Sequence, residues 1–192
     1  MMPRRSDINH SILIVSDSER FVTIVKNSLV GFTTIDIRKN ASAARRCALE
    51  RYYNIMVIDS PLSDEMGESL AIDIAEKSHT SVLLVTPQEL FDQLTEEVTD
   101  YGVLVVPKPF PTGRIDKAIR YLISIQDRYF EMEKKRLSLE EKLEELRLVS
   151  KAKILLVERE HMSEDEAHRY IGKQAMNRGV SRRKIAEEIL DD

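Results

Sequence analysis

Short apolar runs rich in β-branched residues alternate with amphipathic stretches along the amino-terminal part of the chain. The runs that predict strands are Ser11–Val15, Thr33–Ile37, Ile55–Ile58, Val82–Val85 and Val103–Val106. The stretches between them, around 19–30, 41–50, 66–77 and 88–99, show helical periodicity. Strands that are apolar throughout are buried on both faces, so the pattern predicts an α/β domain over residues 1–124, with a doubly wound five-stranded parallel sheet.

A long helical pattern follows and runs without glycine or proline from Arg114 into the last segment of the chain. Its heptad positions a are Ile115, Leu122, Tyr129, Arg136, Leu143 and Ser150, and its positions d are Ala118, Ile125, Met132, Leu139 and Leu146. A repeat of this length predicts a coiled-coil connector at 125–150 and a parallel homodimer. Across that dimer Arg128 would attract Glu133 and Lys135 would attract Glu140, whereas Lys142 would repel Arg147. The alternative is a helix that folds back on its own domain.

Residues 151–192 predict a small all-α domain of three short helices, the first continuing from the connector and ending near Glu160. Ser163 and Glu166 have the spacing of a capping box, Gly179 ends the second helix, and Ser181 caps the third. The residues expected on the inner faces are Ile154, Leu155, Val157, Ala167, Tyr170, Ile171, Met176, Ile185, Ala186 and Ile189. A core of this size gives the domain only marginal stability unless it packs against another part of the protein.

Composition narrows the class of protein. Hydrophobic residues make up 42% and charged residues 32% of the 192 residues, as in soluble globular proteins. No apolar run approaches the roughly 20 residues that cross a bilayer, and no apolar core follows Arg4 and Arg5 as a signal peptide would require. The single cysteine, Cys47, excludes an internal disulfide and suits the cytoplasm.

Net charge gives no general attraction to nucleic acid. The chain carries a formal charge of −4, and the segment from Lys151 onward has nine basic and nine acidic residues. Any binding to nucleic acid must therefore use a local patch of cations rather than a bulk field.

Polar side chains gather where the predicted strands end. Asp17, Asp59, Thr86 and Lys108 each follow or close an apolar run. In open parallel sheets the carboxyl ends of the strands form the binding site, so we expect these side chains to converge. Two carboxylates and a lysine suit Mg²⁺ and a transferable phosphoryl group.

This set of residues, with Gly67 and the Lys108-Pro109-Phe110 ending, resembles the receiver domain of bacterial two-component response regulators. The resemblance covers about 120 residues and implies that Asp59 accepts a phosphoryl group. It further implies that Asp17, Asp59 and the Pro61 carbonyl bind Mg²⁺, that Thr86 is the switch hydroxyl and that Lys108 contacts the phosphoryl group. The signal would come from a cognate histidine kinase or a ligand-sensing regulator. The Lys108–Pro109 bond is a candidate for the cis isomer.

Three departures from the receiver pattern bear on its activity. Ser16 stands where receivers have the first of two adjacent acids, which should lower the affinity for Mg²⁺. Val105 stands where many have an aromatic switch residue, and Pro87 directly follows Thr86. A working phosphoryl switch and a degenerate receiver used for docking both remain open at this point.

The last forty residues resemble an ANTAR domain, the RNA-binding output module of certain antitermination regulators. The matching features are Ala152-Lys153, Leu155-Leu156, SEDEAHRYI, Gln174-Ala175-Met176 and KIAEEIL. The resemblance implies binding to hairpins in leader transcripts, which prevents formation of a terminator. The alternative is an unrelated small helical bundle.

Basic residues outside the predicted apolar faces are the candidate RNA contacts: Lys151, Lys153, Arg169, Lys173, Arg178, Arg182, Arg183 and Lys184. Such side chains neutralise phosphates. Tyr170 could stack on an unpaired base, but its place beside Ala167 and Ile171 leads us to expect it in the core. Taken singly, each cation is equally consistent with a solvated surface.

The sequence therefore predicts a signal-responsive RNA-binding regulator of transcription antitermination, cytoplasmic and dimeric. A receiver that controls a DNA-binding domain and a phosphate-independent interaction adaptor are the alternatives. We expect no enzyme, because the chain offers no nucleophile–base pair or metal cluster besides the receiver set.

Overall fold

The fold was analysed in a computed structural model that describes residues 10–29 and 32–191. The opening segment with Arg4 and Arg5 lies outside the described residues, so the prediction that it is not a signal peptide is untested. The chain divides into two compact units, one ending at Arg128 and the other beginning at Tyr129.

The first unit contains the predicted five-stranded parallel sheet. Its strands are β1 (His10–Val15), β2 (Phe32–Arg38), β3 (Ile55–Asp59), β4 (Ser81–Pro87) and β5 (Leu104–Lys108), in the order β2-β1-β3-β4-β5. All neighbouring strands pair in parallel. The chain reverses direction along the sheet after β2, so β1 and β3 lie side by side. Their carboxyl ends, which carry Ser16 and Asp59, are therefore adjacent.

Helices cover both faces of this sheet. They are α1 (Glu19–Asn27), α2 (Ala41–Glu50), α3 (Glu68–Lys77), α4 (Phe91–Val98) and the beginning of α5 (Thr112–Glu160). One core lies beneath α2, α3 and α4, and the other beneath α1 and α5. Residues of β1, β3 and β4 contribute alternately to both cores, which explains why these strands are apolar throughout.

Helix α5 changes its environment along its length. Ile115, Ala118 and Leu122, the first heptad residues, are buried in the core of the first unit, so they pack on the sheet and are not available to a coiled coil. In the second unit the heptad residues Met132, Leu139, Leu143 and Leu146 are exposed by 67, 59, 55 and 63%. Arg136, at a heptad position a, pairs with Glu133 and Glu140 of its own helix.

The second unit packs the end of α5 against α6 (Glu164–Arg178) and α7 (Arg182–Asp191). The predicted capping box is present: Ser163 Oγ accepts from Glu166 N at 3.3 Å, and Glu166 Oε2 accepts from Ser163 N at 2.8 Å. Gly179 ends α6 in the left-handed conformation (φ 64°), as predicted. The core consists of Val149, Ala152, Leu156, Ala167, Ile171, Ala175, Ile185 and Ala186, with Ile189 partly buried beside it.

The structure corrects part of the predicted inner face. Tyr170 and Met176 are exposed by 39 and 77%, and Ile154 and Val157 by 59 and 38%. In α6 the buried residues recur at intervals of four, from Ala167 through Ile171 to Ala175. Tyr170 and Met176 each lie one residue away from that row, about 100° around the helix, so they face outward.

Candidate functional site

The Asp59 carboxylate is the centre of the predicted site. Asp59 ends β3 and is buried, with 8% of its surface exposed. Lys108, at the end of β5, forms an ion pair with Asp59 Oδ1, and its ammonium also donates to the Ser60 carbonyl at 2.7 Å. The strand order places β4 between these two residues, so the lysine reaches across the edge of the sheet.

Ser16 occupies the other side of the carboxylate. Its hydroxyl donates to Asp59 Oδ2 at 2.6 Å and accepts from Ser18 N at 3.0 Å. Ser18 in turn caps α1 by accepting from Phe21 N. Ser16, which stands where receivers have an acid, is therefore part of a hydrogen-bonded path from the Asp59 carboxylate to the start of α1.

Two buried hydroxyls at the site lack partners within the described residues. Thr86 Oγ1 and Ser60 Oγ are both fully buried and form no hydrogen bond there. A buried unsatisfied hydroxyl is unfavourable, so both have capacity for an oxygen-rich group brought to Asp59. Asp17, by contrast, is exposed.

The loop after Asp59 is held by acidic side chains. Asp64 accepts from the backbone nitrogens of Ala41 and Ser42 at 2.9 and 3.0 Å, and these hydrogen bonds lower its pKa. Glu65 pairs with Arg45 at 2.6 Å. Helix α2 and the loop after Asp59 are thus joined by charge-assisted hydrogen bonds.

Gly67 begins α3 with φ 100°, which disfavours any residue with a side chain. A Cβ there would lie 3.0 Å from Ile58 Cγ2. This backbone requirement, rather than chemistry at Asp59, accounts for the glycine.

Sequence reasoning missed Phe21 as a neighbour of the site. Its ring centroid lies 5.8 Å from Lys108 Nζ and 6.4 Å from the ring of Phe110. The electron-rich face of the Phe21 ring therefore also stabilises the ammonium. An aromatic residue in the first turn of a helix is normally assigned to the core, so the sequence contains no separate signal for this contact.

The Lys108–Pro109 bond is cis, as the sequence suggested, and the Ser60–Pro61 bond is cis as well.

The receiver resemblance implies a Mg²⁺ site beside Asp59. Lysine and serine donors already engage both oxygens of Asp59, and Asp17 is exposed. No group of three or more His, Cys, Asp or Glu side chains in the described part of the chain is placed to hold a metal ion. The fit to Mg²⁺ is therefore poor in this arrangement, because Asp59 is a buried carboxylate already contacted by Lys108 and its neighbour Ser16 supplies a hydroxyl rather than a second negative charge.

The candidate RNA-binding cations divide into two groups. Lys153, Arg178 and Arg183 are paired with acids of the same unit: Glu164 at 2.7 Å, Glu188, and Glu187 at 2.8 Å. The pairing lowers the pKa of Glu164 and Glu188. The remaining five cations form no ion pair among the described residues; they are Lys151, Arg169, Lys173, Arg182 and Lys184.

Comparison with known proteins agrees with both units. A family model described as the ANTAR domain matches residues 137–190. The transcriptional regulatory protein PdtaR of Mycobacterium tuberculosis is 28% identical over 139 residues, which cover 72% of this chain and 67% of PdtaR. Protein PetR of Rhodobacter capsulatus is 32% identical over 105 residues, which cover 52% of this chain and 42% of PetR.

Solved structures show the fold of the first unit. The chemotaxis response regulator CheY4 of Vibrio cholerae superposes with a TM-score of 0.53 at 17% identity, covering 60% of this chain and 99% of that one. A signal receiver domain from Pseudomonas fluorescens Pf-5 gives 0.57 at 19% identity, covering 64 and 93%. Within the described residues, no helix combines the length and hydropathy of a membrane span. Residues 137–190 therefore match an ANTAR domain, a domain with the receiver fold precedes it, and the chain is similar to PdtaR over both parts.

Proposed function

We propose that this protein promotes transcription antitermination by binding hairpins in leader RNA, under the control of its receiver domain. The observation that carries the proposal is the ANTAR domain at residues 137–190 behind a receiver fold. Unpaired cations on a neutral domain support it, because they supply local phosphate contacts where the bulk field supplies none. The protein would act in the cytoplasm as a binding regulator rather than as an enzyme.

The receiver would respond to phosphorylation of Asp59 by a histidine kinase or to docking of a sensing partner. Asp59, Lys108 and the unsatisfied Thr86 hydroxyl together support phosphorylation, since the lysine and the hydroxyl are the groups that a phosphoryl oxygen would engage. The Ser16 hydrogen bond to Asp59 favours docking, since it completes the coordination of the carboxylate without a metal ion or a phosphoryl group.

A homodimer would present two ANTAR domains to two hairpins. The exposed residues Met132, Leu139, Leu143 and Leu146 of α5 support this part of the proposal, because an exposed apolar row at heptad spacing is typical of a coiled-coil seam. Binding of the second hairpin would then be strengthened by effective concentration.

Binding to a two-hairpin leader RNA tests the output directly. In a gel shift we expect this RNA to bind at least tenfold more tightly than duplex DNA of equal length, because RNA hairpin loops expose bases that a B-form duplex stacks inside. Replacing Arg182 and Arg183 with alanine should weaken RNA binding, with a larger contribution from Arg182 because Glu187 already pairs with Arg183. Equal, weak and salt-suppressed binding to RNA and DNA would instead favour a DNA-binding or non-specific regulator.

Ser16 provides the test of the input. We expect wild-type protein to bind Mg²⁺ weakly by isothermal titration, and Ser16→Asp to bind at least tenfold more tightly, because the substitution replaces a hydroxyl donor with a third carboxylate. With a small phosphodonor, Ser16→Asp should gain the mass of one phosphoryl group faster than wild type does. Asp59→Asn serves as the control that gains none.

The same measurement separates the two modes of input. A rapid gain of mass by the wild-type protein at the same Mg²⁺ concentration would contradict the role given to Ser16. No gain of mass in the wild type, with a gain in Ser16→Asp, would favour the adaptor mode, in which the receiver responds to a docked partner.

A further inference from the structure

Tyr170 lies at a hollow that the function described so far does not use. With 39% of its surface exposed, its side chain separates two neighbouring depressions on the second unit. One of about 420 Å³ is lined by Glu160, His161, Met162, Glu166, Arg169, Tyr170 and Lys173. The local backbone produces this hollow, since His161 (φ 56°) ends α5 and the chain turns before α6 begins at Glu164.

We propose that this hollow binds one unpaired RNA base stacked on the Tyr170 ring, with the adjoining phosphate held by Arg169 and Lys173. This inference rests on the proposed RNA-binding function and names a contact within it. Arg169 and Lys173 are one turn apart on α6, so both follow the same side of the hollow. An aromatic ring beside cations is the combination that single-stranded nucleic acid binds.

The charges around the hollow favour a nucleotide over a simple anion. Arg169 and Lys173 form no ion pair with an acid of the described chain; Arg169 Nε donates only to the Asp165 carbonyl, at 3.3 Å. Glu160 lines the same hollow and would repel a bare phosphate. A base brings amino groups that a carboxylate accepts, so the acid and the cations are both satisfied by a nucleotide.

The other carboxylate of the hollow is already engaged. Glu166 accepts from the backbone and the hydroxyl of Ser163 at 2.8 and 2.7 Å, and these hydrogen bonds lower its pKa. Met162, partly buried against the core of the unit, forms an apolar wall. The ring, the apolar wall and one free carboxylate are therefore fixed by the fold before RNA arrives.

The test uses the full-length protein and a two-hairpin RNA. We expect Tyr170→Ala to bind this RNA about 5- to 150-fold more weakly, the range measured for loss of one base–aromatic stack. Tyr170→Phe should bind as wild type does, because the ring is retained. Met176→Ala is the matched control, since Met176 is an exposed apolar residue of the same helix outside the hollow.

A second arm varies the RNA and leaves the protein unchanged. Removing loop bases one at a time as abasic sites should identify one position at which wild-type affinity falls by a similar factor. At that position Tyr170→Ala should bind the normal and the abasic RNA equally well. This arm is informative even if Tyr170→Ala folds poorly, because the wild-type protein reports the loss of the base.

The outcomes distinguish this inference from the broader function. Tight RNA binding that neither Tyr170→Ala nor any abasic loop position weakens would overturn the stacking site and leave antitermination standing. Wild-type protein that does not prefer the RNA would overturn both. A changed dimer mass for Tyr170→Ala in light scattering, with unchanged RNA affinity, would assign the hollow to a protein contact instead.

Discussion

Replacing Ile171 with alanine is expected to unfold the ANTAR unit while the receiver unit stays folded. Ile171 is 1% exposed and lies in the middle of the buried row of α6. Truncation of a buried isoleucine costs about 2–5 kcal/mol through lost burial and the cavity left behind. A unit of this size has a free energy of unfolding of about 3–10 kcal/mol, so the substitution removes much of its stability.

Urea unfolding followed by circular dichroism measures this effect. We expect the second unit to unfold at a much lower urea concentration, and binding of leader RNA to be lost with it. Ile154→Ala is the control: it removes the same atoms from a residue of the same unit that is 59% exposed, and should leave both properties nearly unchanged. Equal destabilisation by the two variants would contradict the assignment of the core.

The second large effect is expected from charges placed on the exposed row of α5. Leu139→Lys combined with Leu146→Lys should convert the proposed dimer into a monomer, because both leucines of both chains would be buried in its seam. Burial of a leucine side chain contributes about 1.5–3 kcal/mol, so four of them correspond to a loss of at least about ten-thousandfold in dimer affinity. Light scattering over a range of concentrations measures the mass.

Leu137→Lys is the matched control for this substitution. Leu137 is also an exposed leucine of α5 (49%), but it is not at a heptad position a or d. The double variant should lose about 10²–10⁴-fold in affinity for a two-hairpin RNA and nothing for a single hairpin, since only the linked second contact is removed. A wild-type protein that stays monomeric at high concentration would rule out this parallel dimer.

Most of the receiver architecture was predictable because its signals are local and mutually consistent. Apolar runs of strand length separated by amphipathic helices correctly predicted the five parallel strands, and the element bounds differ by only a few residues. The convergence of Asp59, Thr86 and Lys108 at one sheet edge follows from the rule that the carboxyl ends of parallel strands coincide. The ANTAR caps at Ser163 and Gly179 were likewise readable, since each depends on residues a few positions apart.

Side-chain direction was less predictable than element type. Tyr170 and Ile171 are adjacent apolar residues of one helix, and hydrophobic periodicity alone assigned both to the core. The neighbouring helices α5 and α7 select only the row through Ala167, Ile171 and Ala175. A shift of one residue rotates a side chain by about 100°, which is enough to move Tyr170 from the core to a surface hollow that Arg169 and Lys173 also line.

The residue types along the chain were sufficient to predict the two kinds of domain, the carboxylate of Asp59 at the sheet edge and the pool of basic residues. Folding decided part of the neutralisation of this pool, because Glu188 of α7 reaches Arg178 of α6, and Glu164 of α6 reaches Lys153 of α5, only in the packed unit. It also brought Ser16 and Asp59, 43 residues apart, into a 2.6 Å hydrogen bond. Such contacts depend on strand order and helix packing, which no local pattern of residues encodes.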